Sequence, residues 1–131
     1  VESAQGTSIA SPGTLDSHYA PTRALTLLTQ PLMRMTTWPH AEGHVGVLAF
    51  SGPRAELETA LRARLADGFT LRILSERADP REAAQNLFKC LRELDGSGAQ
   101  TLWAEPCPSE GLGAAILDRL TRAAAPRGVK S

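Results

Sequence analysis

The chain has 131 residues, 42% of them hydrophobic and 21% charged, enough for one domain with a core and a tail. Its 14 Lys and Arg are balanced by 14 Asp and Glu. This leaves no broad positive field for nucleic acid or anionic membrane, and direct tRNA binding is not expected. No apolar run approaches the roughly 20 residues of a membrane-spanning helix, and no basic segment followed by an apolar one marks a secretory leader.

Residues 1–23 are rich in Ser, Gly, Pro and Ala and read as a linker. A chain that opens on Val1 in such a linker reads as processed or excised from a longer polypeptide. Within it, Ser11-Pro12-Gly13-Thr14-Leu15-Asp16-Ser17-His18-Tyr19-Ala20-Pro21 carries the chain's one tyrosine beside a histidine. A plain spacer needs neither ring, so this stiff stretch reads as a strap that docks on another body. Leu25 to Thr29 is a near-continuous apolar run, as a strand buried on both faces shows. A short helical turn is expected around Met33 to Met35, and a second strand over Val45 to Phe50. Ser51 or Gly52 caps the next helix, with Pro53 at its first position. Leu57, Ala60, Leu61 and Leu65 form its apolar stripe and Gly68 ends it.

Thr70 to Leu74 is the third strand. Asp79-Pro80 opens a helix with Ala84, Leu87, Phe88, Leu91 and Leu94 on its buried face, and Asp95 to Gly98 breaks the chain. Gln100 to Ala104 is the fourth strand. Leu112, Ala115, Ile116, Leu120 and Ala123 line a final helix. Strands alternating with amphipathic helices predict an α/β fold: a three-layer α/β/α sandwich around a mostly parallel sheet of four or five strands, occupying residues 24–131.

In such sheets ligands bind beyond the carboxyl ends of the strands. Those ends lead into Ser51 to Arg54, Ser75 to Arg77, and Glu105 through Gly113. The last is the nucleotide-binding candidate, with Ser109, Gly111 and Gly113 between a strand and a helix whose free N–H groups suit a phosphate. It lacks the full glycine fingerprint, and Glu110 repels an anion; a packing turn explains it as well. His40, Glu42 and His44 flank Gly43 in a loop with no helical face to aim them, so no metal site is assigned. Cys90 and Cys107 lack a secretory context and read as reduced thiols of a cytoplasmic chain. Arg62, Arg64, Arg119 and Arg122 read as solvated helix faces, and Trp38 and Trp103 as core or rim packing.

Three patches, in order, carry a resemblance. Ser11 to Pro21 resembles the SPGM-x-x-x-HYAP linker of the Sua5 family of threonylcarbamoyl-AMP synthases. Leu87-Phe88-Lys89-Cys90-Leu91-Arg92-Glu93-Leu94-Asp95 is similar to the family's LY-x-x-LR-x-LD helix, and Gly111 to Leu120 to its GLG-x-AI-x-x-RL ending. The resemblance implies a linker plus a small Rossmann-like C-terminal domain, without the YrdC-like catalytic domain. That missing domain would make threonylcarbamoyl-AMP from threonine, bicarbonate and ATP, with Mg²⁺, for the t6A modification of tRNA. The fragment itself would hold no catalytic residue and no cofactor. The linker positions carried over are Ser11, Pro12, Gly13, His18, Tyr19, Ala20 and Pro21, which would cover the active site of the catalytic domain. Thr14 to Ser17 depart from the pattern, where many members have methionine and basic residues. Two other readings stay open: an independent module that binds ATP or ADP, or weakly hydrolyses ATP, and a protein-interaction domain.

Overall fold

The computed structural model describes residues 21, 23–41 and 43–124. Among them, four strands form one parallel sheet: β1 (Ala24–Leu27), β2 (Val45–Ala49), β3 (Phe69–Ile73) and β4 (Thr101–Ala104). Three helices follow in turn: α1 (Arg54–Arg62), α2 (Pro80–Asp95) and α3 (Gly111–Ala124). A single 3₁₀ turn, Leu32–Arg34, lies between β1 and β2. Spatial order is β1-β4-β2-β3, in register from Ala24↔Thr101 and Val45↔Thr101 to Val45↔Phe69. The expected three-layer α/β/α sandwich is what forms, with four strands and all of them parallel.

Side-chain alternation divides the core into two layers. Val45, Val47, Ala49, Leu71 and Trp103 meet Leu57, Leu61 and Leu65 on the α1 face. Leu25, Leu48, Phe50, Leu102 and Ala104 meet α2 and α3 on the other, through Leu87, Leu91, Leu94, Ile116 and Leu120. Strands buried on both faces need helices on both faces, and β2 is buried at all five residues. The connections obey the same logic. The moves from β1 to β2 and from β2 to β3 run in one direction and share a face. The return from β3 to β4 runs the other way and places α2 on the opposite face, as crossovers of a single hand require.

Local chemistry explains most boundaries. Asp79 caps α2, its carboxylate accepting from the Arg81 N–H at 3.0 Å, and Pro80 sits where its missing N–H costs nothing. At α1 the structure moves the expected boundary. Pro53 is the capping residue rather than the first helical one, and no side chain caps this helix. Ser51 and Gly52 are held elsewhere, the Gly52 N–H donating to the Glu76 carbonyl at 3.4 Å. That helix also stops at Arg62, and Gly68, with φ of +98°, closes the turns that follow it.

β1 is an edge strand, so it is not buried on both faces as its composition implied; only Leu25 within it is buried. The buried stripe of α3 is Gly113, Ile116, Leu120 and Ala123; Leu112 is 45% exposed and Ala115 is exposed too, contrary to expectation. Cys90 and Cys107 are free and buried, and burial pushes the Cys107 thiol up to about 12.

Ala78, next to the α2 cap, holds a left-handed backbone with φ of 61°, the one non-glycine residue to do so among those described. Such a conformation crowds a Cβ against the backbone. Ala78→Gly is expected to raise stability by about 1 kcal/mol, read from the urea midpoint at unchanged slope.

Candidate functional site

The strand order reverses between β2 and β4, which makes the crevice beyond their carboxyl ends the position where open α/β sheets hold ligands. Here the crevice is occupied by the chain's own Glu105, directly after β4 and only 6% exposed. One carboxylate oxygen accepts from the Phe50 N–H at 2.7 Å, the other from the Leu32 N–H at 2.7 Å. The Ser51 N–H also favours its charged form. Three backbone donors converging on one anion make the kind of cradle that holds phosphates in other sheets. Burial nevertheless dominates, and it holds the Glu105 carboxyl above the usual carboxylate range.

The second cradle expected from the sequence is Ser109 to Gly113. Gly111 takes a positive φ of 55° at the start of α3. Gly113 faces the Pro108 carbonyl so closely that a Cβ there would collide with the Pro108 oxygen. The glycine pair therefore folds the preceding loop tightly onto the helix, and an internal carbonyl lies against its first turn. Ser109 and Glu110 are exposed beside it.

The third loop, Ser75 to Arg77, borders a pocket of about 430 Å³ with Glu82 and Asn86. Its polar groups are matched to one another. The Ser75 hydroxyl donates to Glu82 at 2.5 Å and accepts from the Asp79 N–H at 3.0 Å, while Asn86 donates to the Leu74 carbonyl at 2.9 Å. Arg77 adds ion pairs at 3.4 Å to both Asp79 and Glu82. The three carboxyl-end loops are thus stitched to each other or within themselves.

Of the strap, Ser11, Pro12, Gly13, His18, Tyr19 and Ala20 lie outside the described residues, as does Glu42 of the histidine loop. Pro21 is described and is buried. Two residues on, the Arg23 N–H donates to the Asp95 carboxylate at 3.0 Å. The root of the strap is therefore tied to the last turn of α2, at the amino end of the sheet and opposite the Glu105 crevice. His44 bonds Thr70 across 2.7 Å, and no group of three metal-ligating side chains gathers among the described residues. No helix among them is long and apolar enough to cross a membrane.

Glu105 opens the loop that the sequence singled out, but it was not among that loop's candidate residues, Ser109, Gly111 and Gly113. Its one sequence trait is a lone carboxylate abutting an apolar strand, and its donors lie 73 and 55 residues away. Arg64 is exposed, as expected of a solvated face, and its guanidinium also lies over the Trp38 ring, 5.4 Å from its centre. Arg62 and Arg122 do pair with acidic neighbours one helical turn away.

A parallel doubly wound sheet with its switch point closed by an internal carboxylate defines a Rossmann-like α/β domain. The family model of the threonylcarbamoyl-AMP synthase C-terminal domain matches residues 1–125, so the chain belongs to that family. A curated relative, threonylcarbamoyl-AMP synthase of Pyrococcus abyssi (strain GE5 / Orsay), is 43% identical over 49 residues. That match covers 37% of this chain and 14% of the relative, so the chain spans a small part of that protein's length.

Replacing Glu105 by Gln turns an amide N–H₂ toward groups that are themselves donors. Glu105→Gln is expected to cost about 2 kcal/mol in a denaturation experiment near neutral pH. A carboxyl held above 4.5 in the folded chain binds its proton more tightly folded than unfolded. Its contribution to stability is therefore greatest at low pH and falls as pH rises through the folded value. The same variant is expected to flatten that part of the stability profile.

Proposed function

We propose that residues 24–131 are an accessory domain of a threonylcarbamoyl-AMP synthase, and that residues 1–23 are the linker that closes over the active site of the catalytic domain. The observation that carries this reading is the family match, which begins at residue 1 and takes in strap and domain together. The reaction, carried out by the YrdC-like domain of the same polypeptide, joins threonine, bicarbonate and ATP into threonylcarbamoyl-AMP with release of pyrophosphate. ATP and Mg²⁺ belong to that domain, and the product serves t6A formation in tRNA.

In this reading the strap works by position and exclusion. Tyr19 packs its ring against the nucleotide cleft while its hydroxyl donates a hydrogen bond. His18 bonds an anionic or carbonyl group of the bound reactants. The prolines lower the entropy lost when the strap docks. A closed strap keeps water from the acyl-adenylate, which hydrolysis would otherwise consume. The separation of the strap's root from the Glu105 crevice supports a strap that serves a neighbour rather than this domain's own sheet.

In the full-length synthase, Tyr19→Ala and His18→Ala are each expected to lower threonylcarbamoyl-AMP formed per ATP consumed by about tenfold, the scale of one lost hydrogen-bonded contact to a charged group. Turnover and yield equal to the parent enzyme in both variants would end the lid reading. The reading as an independent nucleotide module has a separate check: titration calorimetry of the 131-residue chain with ATP and ADP. Self-filled cradles at Glu105 and Gly113 predict no heat at millimolar nucleotide.

A further inference from the structure

The last residue of α2 is an aspartate in a place that helix energetics disfavour. Asp95 puts a negative charge among the free carbonyl groups at the negative end of the helix dipole, and aspartate is a poor helix former. The helix end closes without its side chain. The Gly96 N–H donates to the Arg92 carbonyl at 3.1 Å. The Ser97 N–H and the Ser97 hydroxyl both donate to the Leu94 carbonyl, at 3.1 and 2.6 Å. Propensity, dipole and capping therefore give no reason for a carboxylate here.

What the carboxylate does hold is a backbone group 72 positions earlier: the Arg23 N–H donates to Asp95 Oδ1 at 3.0 Å. The ladder between β1 and β4 begins at Ala24↔Thr101, so the Arg23 amide lies just outside it. The bond thus fixes the chain one residue before the strand starts. Two residues earlier, Pro21 is buried, with its φ locked by the ring. The strap therefore leaves the body from a defined point. Four residues span at most about 14 Å, so the bond at Arg23 bounds where Tyr19 reaches, with His18 one residue further on.

We propose that Asp95 is a positioning residue for the strap: by holding the Arg23 N–H it sets the point from which Tyr19 and His18 are presented to the catalytic domain. Asp95 touches no reactant and acts through the strap alone, so its role rests on the lid reading above. A tether pinned close to its working end keeps that end near its target and raises the fraction of time the target is covered. Without the bond, the chain is free to leave β1 at other angles, and coverage falls.

The bond itself is checked in the 131-residue chain by amide hydrogen exchange. Asp95→Ala is expected to speed exchange at Arg23 about fivefold, while Asp95→Asn, whose amide oxygen still accepts, keeps most of the protection. In the full-length synthase, Asp95→Ala is expected to lower threonylcarbamoyl-AMP formed per ATP consumed about fivefold, and Asp95→Asn to restore most of it. The deciding measurement places Asp95→Ala in a background of His18→Ala and Tyr19→Ala. No further loss is expected there, because a residue that acts only through the two rings has nothing left to place. Three results overturn the positioning role: unchanged exchange at Arg23, unchanged yield in Asp95→Ala while Tyr19→Ala lowers it, or a further loss of about fivefold in the doubly substituted background. Yields that stay at the parent level in Tyr19→Ala and Asp95→Ala alike overturn the lid reading itself, and the positioning role with it.

Discussion

The Glu105 carboxylate is the constraint on which the upper half of this domain depends. It ties the carboxyl ends of the paired strands β4 and β2, at Glu105 and at Phe50 and Ser51, to a segment outside the sheet, the turn opening at Leu32. Backbone N–H groups at strand ends have no ladder partner, and buried ones need an acceptor. In nucleotide-binding relatives of this architecture the ligand supplies that acceptor. Here a side chain does, so the crevice is complete without a visitor. The same strategy recurs where Gly113 brings the Pro108 carbonyl against the first turn of α3. Both cradles are thus satisfied by groups of the domain itself.

The repeating elements were legible because their determinants are local. Asp79-Pro80 supplies a cap and a proline in consecutive positions, and the apolar spacing through Leu87, Leu91 and Leu94 then fixes the face of a 16-residue helix. The strands announced themselves as short apolar runs between glycine and proline turns. Strand order was not legible, since it depends on which faces the helices cover. Errors fell where tertiary contacts overrule local preference. Ser51 had the chemistry of a cap, but its backbone serves Glu105 instead. Leu112 has the spacing of a buried residue, but the first turn of α3 presents Gly113 to the loop and turns Leu112 outward.

The stretch from Ser11 to Pro21 stood out for a different reason: it places the chain's one tyrosine beside a histidine, and the family model extends through it. The role of Glu105 gave no such warning, although the loop it opens was singled out. A carboxylate is a common residue, and what distinguishes this one is the identity of neighbours more than 50 positions away. Long-range pairing of polar groups leaves no periodicity, so a single sequence does not record it.

The bond between Arg23 and Asp95 has a mechanical consequence. It sits where a pull on the N-terminal arm would first enter the folded body, on the final turn of a helix that packs against the central strand β2. Load arriving there meets α2 and, through it, β2, which is buried at all five residues, rather than the loops at the far end of the sheet. The domain is thus moored at that bond: whatever precedes Arg23 meets the C-terminal end of a 16-residue helix before it meets any loop.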